Sequence, residues 1–274
     1  MLGSDLRVAL EKHGFETLTF DLPETDITRA ADIEEIVASS DVVVNCAAYT
    51  AVDRAENDLD ACRAVNATAP GELGKAAAAA GKRVIHISTD FVFGDAGNEP
   101  LREDSATNPL SVYGSTKLEG ERAALESGAD CAVLRVQWTY GRGGANFVSK
   151  IAELAEKLPT LKVVDDQIGS PTHTVDAARA ILSLIRNKAR GVFHFAAEGY
   201  ASRFDVARLV LDELNIDTPL TPCSSREFPA PAERPRNSRF ECSKIDTVLD
   251  FKRPHWKNAL RTYLRGAGNG DPGP

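Results

Sequence analysis

Tyr113 and Lys117 stand four residues apart in the segment Tyr113-Gly-Ser-Thr-Lys117. On a helix that spacing puts both side chains on one face. A lysine ammonium close to a phenol favours the phenolate, which predicts a lowered tyrosine pKa. Such a tyrosine exchanges a proton with a carbonyl or alcohol oxygen. Chance pairing on an amphipathic helix produces the same four-residue spacing, so the neighbours matter. Ser88-Thr89-Asp90 closes the apolar run 83–88, which places its hydroxyls at a strand's carboxyl end. Ligands bind there in open α/β sheets, although short polar residues also end strands as plain turn formers. Tyr113 follows after a loop containing Gly and Pro.

The elements that must position these residues alternate. Helical patterns cover residues 4–13, 29–38, 58–80 and 112–126, and strand patterns cover 16–20, 41–46, 83–88 and 131–136. Strands separated by helices at this spacing predict βαβ units and a doubly wound parallel sheet of the α/β class. Further on, helices are predicted at 144–156, 174–187 and 203–214, and strands at 161–164 and 192–195. Residues 219–239, rich in Pro, Ser and Arg, read as a shaped loop, and 266–274 as a disordered tail.

Composition narrows the function classes. The 274 residues carry 32 basic and 40 acidic side chains, a formal charge of −8 that disfavours a nucleic acid polymer as partner. No apolar stretch reaches the roughly 18 residues that span a bilayer, so no membrane role is expected. Five widely spaced cysteines form neither a Cys-x-x-Cys pair nor a zinc pattern, which points to a reducing, cytoplasmic setting. The histidines show no metal spacing. His86 and His194 fall inside strand patterns and read as core or pocket-lining residues. Neither a Gly-x-Ser-x-Gly elbow nor a P-loop is present, which sets hydrolase and NTPase chemistry aside.

Several ordered motifs make the chain resemble the dTDP-4-dehydrorhamnose reductase family of extended short-chain dehydrogenase/reductases. They are Asn45-Cys-Ala-Ala-Tyr-Thr-Ala-Val-Asp53-Arg-Ala-Glu56, Ser88-Thr-Asp-Phe-Val-Phe93, Arg135-Val-Gln-Trp138-Thr-Tyr-Gly141, Asp166-Gln-Ile-Gly-Ser-Pro-Thr172 and Arg234-Pro-Arg-Asn-Ser238. The resemblance covers about residues 1–264. It implies a Rossmann-type sheet with a smaller, intertwined substrate lobe. The dinucleotide-binding lobe would lie mainly in 1–145 and the substrate lobe mainly in 146–265, with segments interleaved. The implied reaction is reduction of the C4 keto group of dTDP-4-dehydro-6-deoxy-L-mannose to dTDP-L-rhamnose by NADPH or NADH. The implied partner is a small dTDP-sugar, and a homodimer is allowed. A different class within the same resemblance is a non-catalytic regulatory partner similar to the beta subunit of methionine adenosyltransferase; intact Thr89, Tyr113 and Lys117 speak against it.

Residue by residue, the resemblance makes Tyr113 the proton donor and Lys117 the ligand of the nicotinamide ribose. Thr89 then holds the keto oxygen. Ala47, Ala48 and Tyr49 line the cofactor, while Thr50, Val52 and Asp53 lead toward the substrate. Trp138 becomes an apolar wall beside the deoxysugar, with a core tryptophan as the other reading. Asn146 either touches substrate or caps a helix. Arg234 and Arg236 either pair with the diphosphate or form a solvated basic loop, and Gln167 and Thr172 shape the pocket. Gln137 stands where the family has a small residue. Gly3 matches the last glycine of the dinucleotide fingerprint, whose first strand and earlier glycines have no counterpart here. The expectation is therefore a chain that starts late, or is truncated, by about one strand and one turn, leaving a gap of about two strand spacings in the sheet; an inactive truncated reductase is then a further reading of the chain as written. Asp21, read as the end of the 16–20 strand, either holds the ribose 2′-OH, which leans toward NADH, or is a turn acid before Pro23.

Overall fold

Runs of valine and isoleucine build the sheet. In the computed structural model, described for residues 1–95 and 97–268, the strands Val42–Asn45 (β1), Arg83–Thr89 (β2) and Asp130–Val136 (β3) lie parallel, in that order. Gly191–Phe195 pairs in parallel with β3 and completes the four-stranded sheet. The register sets Ser88 against Arg135 and Thr89 against Val136, so the hydroxyls that end β2 stand at the sheet's carboxyl edge. Helices cover both faces, the arrangement that near-continuous apolar strands require. On one face Leu6 of the helix Leu2–Lys12 (α1) packs with Ala177, Ala178 and Ile181 of the helix Thr174–Arg186 over Ile85, Leu134 and Phe193. On the other, Ile33, Leu73, Ala77 and Ala124 close over Val43, Val84 and Val133.

A separate apolar cluster joins Tyr140, Val148, Ile151, Phe204, Val210, Trp256 and Leu260. It lies between the helices Phe147–Lys157, Arg203–Leu214 and Trp256–Gly268. Two of these helices are capped locally. Asn146 and Ser202 each accept from the third helical amide, Ser149 and Asp205, whose side chains return the bond.

Several expectations are corrected. Residues 16–20 form no strand. A strand exists through its ladder, and β1 pairs only with β2 among the described residues. The segment runs along the surface instead, with Leu18 56% and Leu22 66% exposed. The helix predicted over 58–80 is three pieces, Leu59–Arg63, a π-helical Ala64–Thr68, and Ala69–Ala79. The stretch 219–239 is not all loop, because Leu220–Cys223 pairs in parallel with Leu161–Val164. The helix Trp256–Gly268 takes in the first residues of the predicted tail, and 269–274 lie outside the described residues.

Candidate active site

The helix Val112–Glu126 begins where its sequence can cap it. Ser111 Oγ accepts from Gly114 N at 3.1 Å, and Glu56 Oε1 accepts from Val112 N at 2.9 Å. Both bonds satisfy amides that a first helical turn leaves free. Gly114 then permits a close approach: a Cβ there would stand 2.3 Å from the Phe91 carbonyl oxygen. The helix start is thereby pressed onto the turn after β2, with Phe91 edge-on to Tyr113 at 5.4 Å. As a result the Thr89 side chain stands close enough to the Tyr113 phenol to favour its ionised form. Thr89 Oγ1 also accepts from Phe91 N at 3.2 Å and donates to Asp90 Oδ1 at 3.2 Å.

Lys117 lies one turn further along, buried to 1% exposure. Its Nζ donates to the Ile87 carbonyl at 2.6 Å and stands 3.2 Å from His86 Nε2. The expectation of a lowered Tyr113 pKa is therefore corrected. Burial dominates, with the Asp90 carboxyl adding to it, and the phenol is pushed up to about 12. Burial also pushes Lys117 down to about 8, against the opposing pull of Glu121.

A small cleft opens beside Asp90 and Phe91 and is walled by Trp138, Gln167, Arg203 and Arg234. Trp138 has a left-handed backbone, φ 47°, unusual for a bulky residue. Arg203 lies over its ring at 3.6 Å and over Phe147 at 4.9 Å. Burial lowers the Arg203 guanidinium to about 10, against the pull of Asp90. Asp90, 2% exposed, accepts from Ser238 Oγ at 2.6 Å. Burial raises its carboxyl pKa. Neither this cleft nor a larger cavity of about 200 Å³ between Pro100, Tyr200, Cys242 and Arg253 has Thr89, Tyr113 or Lys117 in its walls; the smaller one adjoins Thr89 through Asp90.

The other expected residues divide. Arg234 and Asp53 meet each other, Nη2 to Oδ2 at 2.7 Å and Nη1 to Oδ1 at 3.1 Å. The fork expected for a diphosphate is thus already closed on a carboxylate. Arg236 is exposed. Asn146 is a helix cap whose amide also donates to the Gly141 carbonyl at 3.0 Å. Thr172 is buried and donates to the Ser170 carbonyl at 3.0 Å. Gln137 Oε1 accepts from Ser170 N at 2.8 Å. Ala47, Ala48 and Tyr49 follow β1, and Thr50 and Val52 lead into the short helix Val52–Ala55. Asp21 does not end a strand. It sits in an exposed turn, where its carboxylate accepts from Leu22 N at 2.9 Å.

Two residues were missed. Arg203, at the start of a helix, has the sequence signature of a solvated surface residue. Asn66, in the π-helical turn, accepts from Tyr49 N at 2.8 Å and donates to the Tyr49 carbonyl at 3.1 Å. Both backbone groups of Tyr49 are thereby clamped, and no pattern in the sequence signals it.

The donor set suits the reactive end of a dinucleotide. Two hydroxyls and a lysine amine gather at a strand's carboxyl end, where Ser88 Oγ is buried without a protein partner. α1 starts without a side-chain cap, and Gly3 lies beside Cys46, the residue after β1. Free amides at a helix start suit a phosphate. A Cβ on Gly3 would meet Cys46 Cβ at an ordinary 3.8 Å, so steric need does not single that glycine out.

Comparison with known proteins gives concordant results. A family model described as the RmlD substrate binding domain matches residues 1–268. A Mycobacterium tuberculosis protein named dTDP-4-dehydrorhamnose reductase is 42% identical over 277 aligned positions, covering 98% of this chain and 90% of that protein. A crystal structure of a dTDP-4-dehydrorhamnose reductase from Clostridium acetobutylicum is similar with a TM-score of 0.93 and 37% identity, over 97% of this chain and 96% of that one. Another, from Bacillus anthracis in complex with NADP, gives 0.92 and 30%, over 96% and 95% of the two chains.

Proposed function

The chain belongs to the dTDP-4-dehydrorhamnose reductase family, and from that premise we propose that it reduces the C4 keto group of dTDP-4-dehydro-6-deoxy-L-mannose, yielding dTDP-L-rhamnose. The observation that carries the reading is the packing of the Val112–Glu126 helix start onto the turn after β2, which sets Tyr113 against Phe91 at the carboxyl end that Thr89 closes, beside a cleft walled by Trp138.

The cofactor is NADPH or NADH, which supplies the hydride that C4 receives. Tyr113 and Lys117 would hold its ribose, Ala47, Ala48 and Tyr49 its flank, and the α1 start with Gly3 its phosphates. Asp21, exposed and outside the sheet, gives little ground for excluding the 2′-phosphate of NADPH.

Tyr113 acts as the acid. A phenol pushed to about 12 keeps its proton at neutral pH, the state in which an acid must start. It gives that proton to the keto oxygen as the carbon–oxygen double bond becomes single, and is left as phenolate. Thr89 turns its one hydroxyl hydrogen from Asp90 to the same oxygen and so opposes the charge that develops there. Trp138 covers the apolar 6-deoxy face of the sugar, Arg203 supplies the cation beside it, and Asp53 holds Arg234 at the rim with Thr50 and Val52 nearby. Asn146 contributes through its helix cap.

The lobes are assigned accordingly, the dinucleotide mainly to 1–145 and the sugar mainly to 146–265. Five free thiols fit a cytoplasmic setting, and light scattering tests whether a homodimer forms. The reaction is tested with Tyr113→Phe, which removes only the acidic oxygen. Turnover is expected to fall by roughly 10²–10⁴-fold with cofactor affinity retained. Unchanged turnover sinks the acid role.

A further inference from the structure

His86 lies wholly buried in β2 between two nitrogen donors. Asn45 Nδ2 is 3.3 Å from its Nδ1, and Lys117 Nζ is 3.2 Å from its Nε2. A neutral imidazole has one donor nitrogen and one acceptor nitrogen, so it cannot accept from both neighbours. The backbone decides which one it serves. Asn45 Oδ1 accepts from Ala47 N at 3.1 Å, and this fixes the amide with its NH₂ toward the ring. An NH₂ only donates, so Nδ1 is the acceptor and Nε2 carries the ring hydrogen. That hydrogen faces Lys117. An ammonium has no lone pair to receive it, whereas an amine does, while still donating to the Ile87 carbonyl at 2.6 Å. The other tautomer moves the same conflict to Asn45, and a protonated ring meets donors on both sides.

We propose that the Asn45–His86 pair is a positioning device for Lys117. It fits the lysine as an amine and opposes it as an ammonium, so the charge that Lys117 presents to the site is set from the sheet beneath it. Neither Asn45 nor His86 reaches the reacting atoms in this account; both act through Lys117. The proposal rests on the reading of Lys117 as the residue that holds the cofactor.

The other groups around Lys117 do not supply this control. Cys46, after β1, and Cys62, on the helix Leu59–Arg63, are thiols, and burial pushes Cys46 up to about 12. Glu121, one turn along on the lysine's own helix, attracts an ammonium. Both of its oxygens are engaged by Arg135, at 2.9 and 2.7 Å. His86 itself stays neutral, its pKa driven well down by burial and then by Lys117.

The test reverses the polarity of the pair. In Asn45→Asp a carboxylate receives the Nδ1 hydrogen, Nε2 becomes an acceptor, and the ammonium is matched. His86→Gln offers Lys117 a carbonyl without a buried carboxylate and serves if Asn45→Asp does not fold. NADPH affinity is read by cofactor fluorescence from about pH 6.5 to about pH 10 on the full chain, alongside keto-sugar turnover. Affinity in the parent is expected to weaken above about pH 8, where Lys117 loses its charge. In folded Asn45→Asp or His86→Gln that limb is expected to move up by about one pH unit or more, and in Lys117→Met to vanish. A shift supports the device with or without turnover. Profiles of folded variants that superimpose on the parent overturn it. Turnover by itself judges the reductase reading, so the two fail separately.

Discussion

Lys117 works where it is expensive to keep a charge. Its pKa falls from 10.5 to about 8, chiefly through burial. Between those values the unfolded chain holds a proton that the folded chain has released, so this group's contribution makes the fold more stable as pH rises through the window. Below about pH 8 the buried ammonium exerts its full cost. Lys117→Met is therefore expected to melt higher than the parent near neutral pH. That advantage should shrink by on the order of 3 kcal/mol as pH climbs to about 10.5. Paired thermal melts across that range check it; an advantage that does not change with pH contradicts the assignment. Function and stability pull this one side chain in opposite directions, as is common where a strained group is kept for its chemistry.

Elements hold such residues in place through close approaches rather than through propensity. Gly120 lies on the helix that carries Lys117, and a Cβ there would sit 2.0 Å from the Asn66 carbonyl oxygen. Because that atom belongs to the π-helical backbone, neither side can yield cheaply. Gly120→Ala is expected to cost about 1–3 kcal/mol. It should also loosen the Asn66 clamp on Tyr49, seen as weaker cofactor affinity together with a lower urea midpoint. The sequence made the helix 112–126 legible to the residue, since Ser111 caps it locally and its apolar spacing is helical. It did not reveal the π-helical turn, which no short pattern marks. It also hid the strand Leu220–Cys223, which contains Pro222 and takes its partner from Leu161–Val164, far away along the chain. Residues 16–20 failed in the reverse sense: their pattern suits a strand, but pairing is decided by what lies alongside. At the site, Thr89, Tyr113 and Lys117 were legible as residue types at recognisable spacing. The Arg203–Trp138 stack and the Asn45–His86–Lys117 row were not, because each joins residues from separate segments.

Across the whole molecule the apolar clusters do not follow chain order. Ala177, Ile181, Phe193, Phe240 and Ile245 pack with Leu6, Ile85 and Leu134, so late segments complete a core begun by early ones. Phe15, Leu18 and Leu22 stand 37%, 56% and 66% exposed near the surface segment that follows α1. Replacing both leucines with lysine is expected to raise the protein concentration at which light scattering climbs. The melting temperature should hardly move, since exposed positions seldom contribute more than about 0.5 kcal/mol. The outer margin of β1 has a consequence of its own. Backbone groups that no described strand engages form a template on which another polypeptide can add a strand. Concentrated stocks of this protein are therefore expected to age by edge-to-edge growth of the sheet, with intermolecular β-structure appearing in the infrared spectrum before any loss of helix.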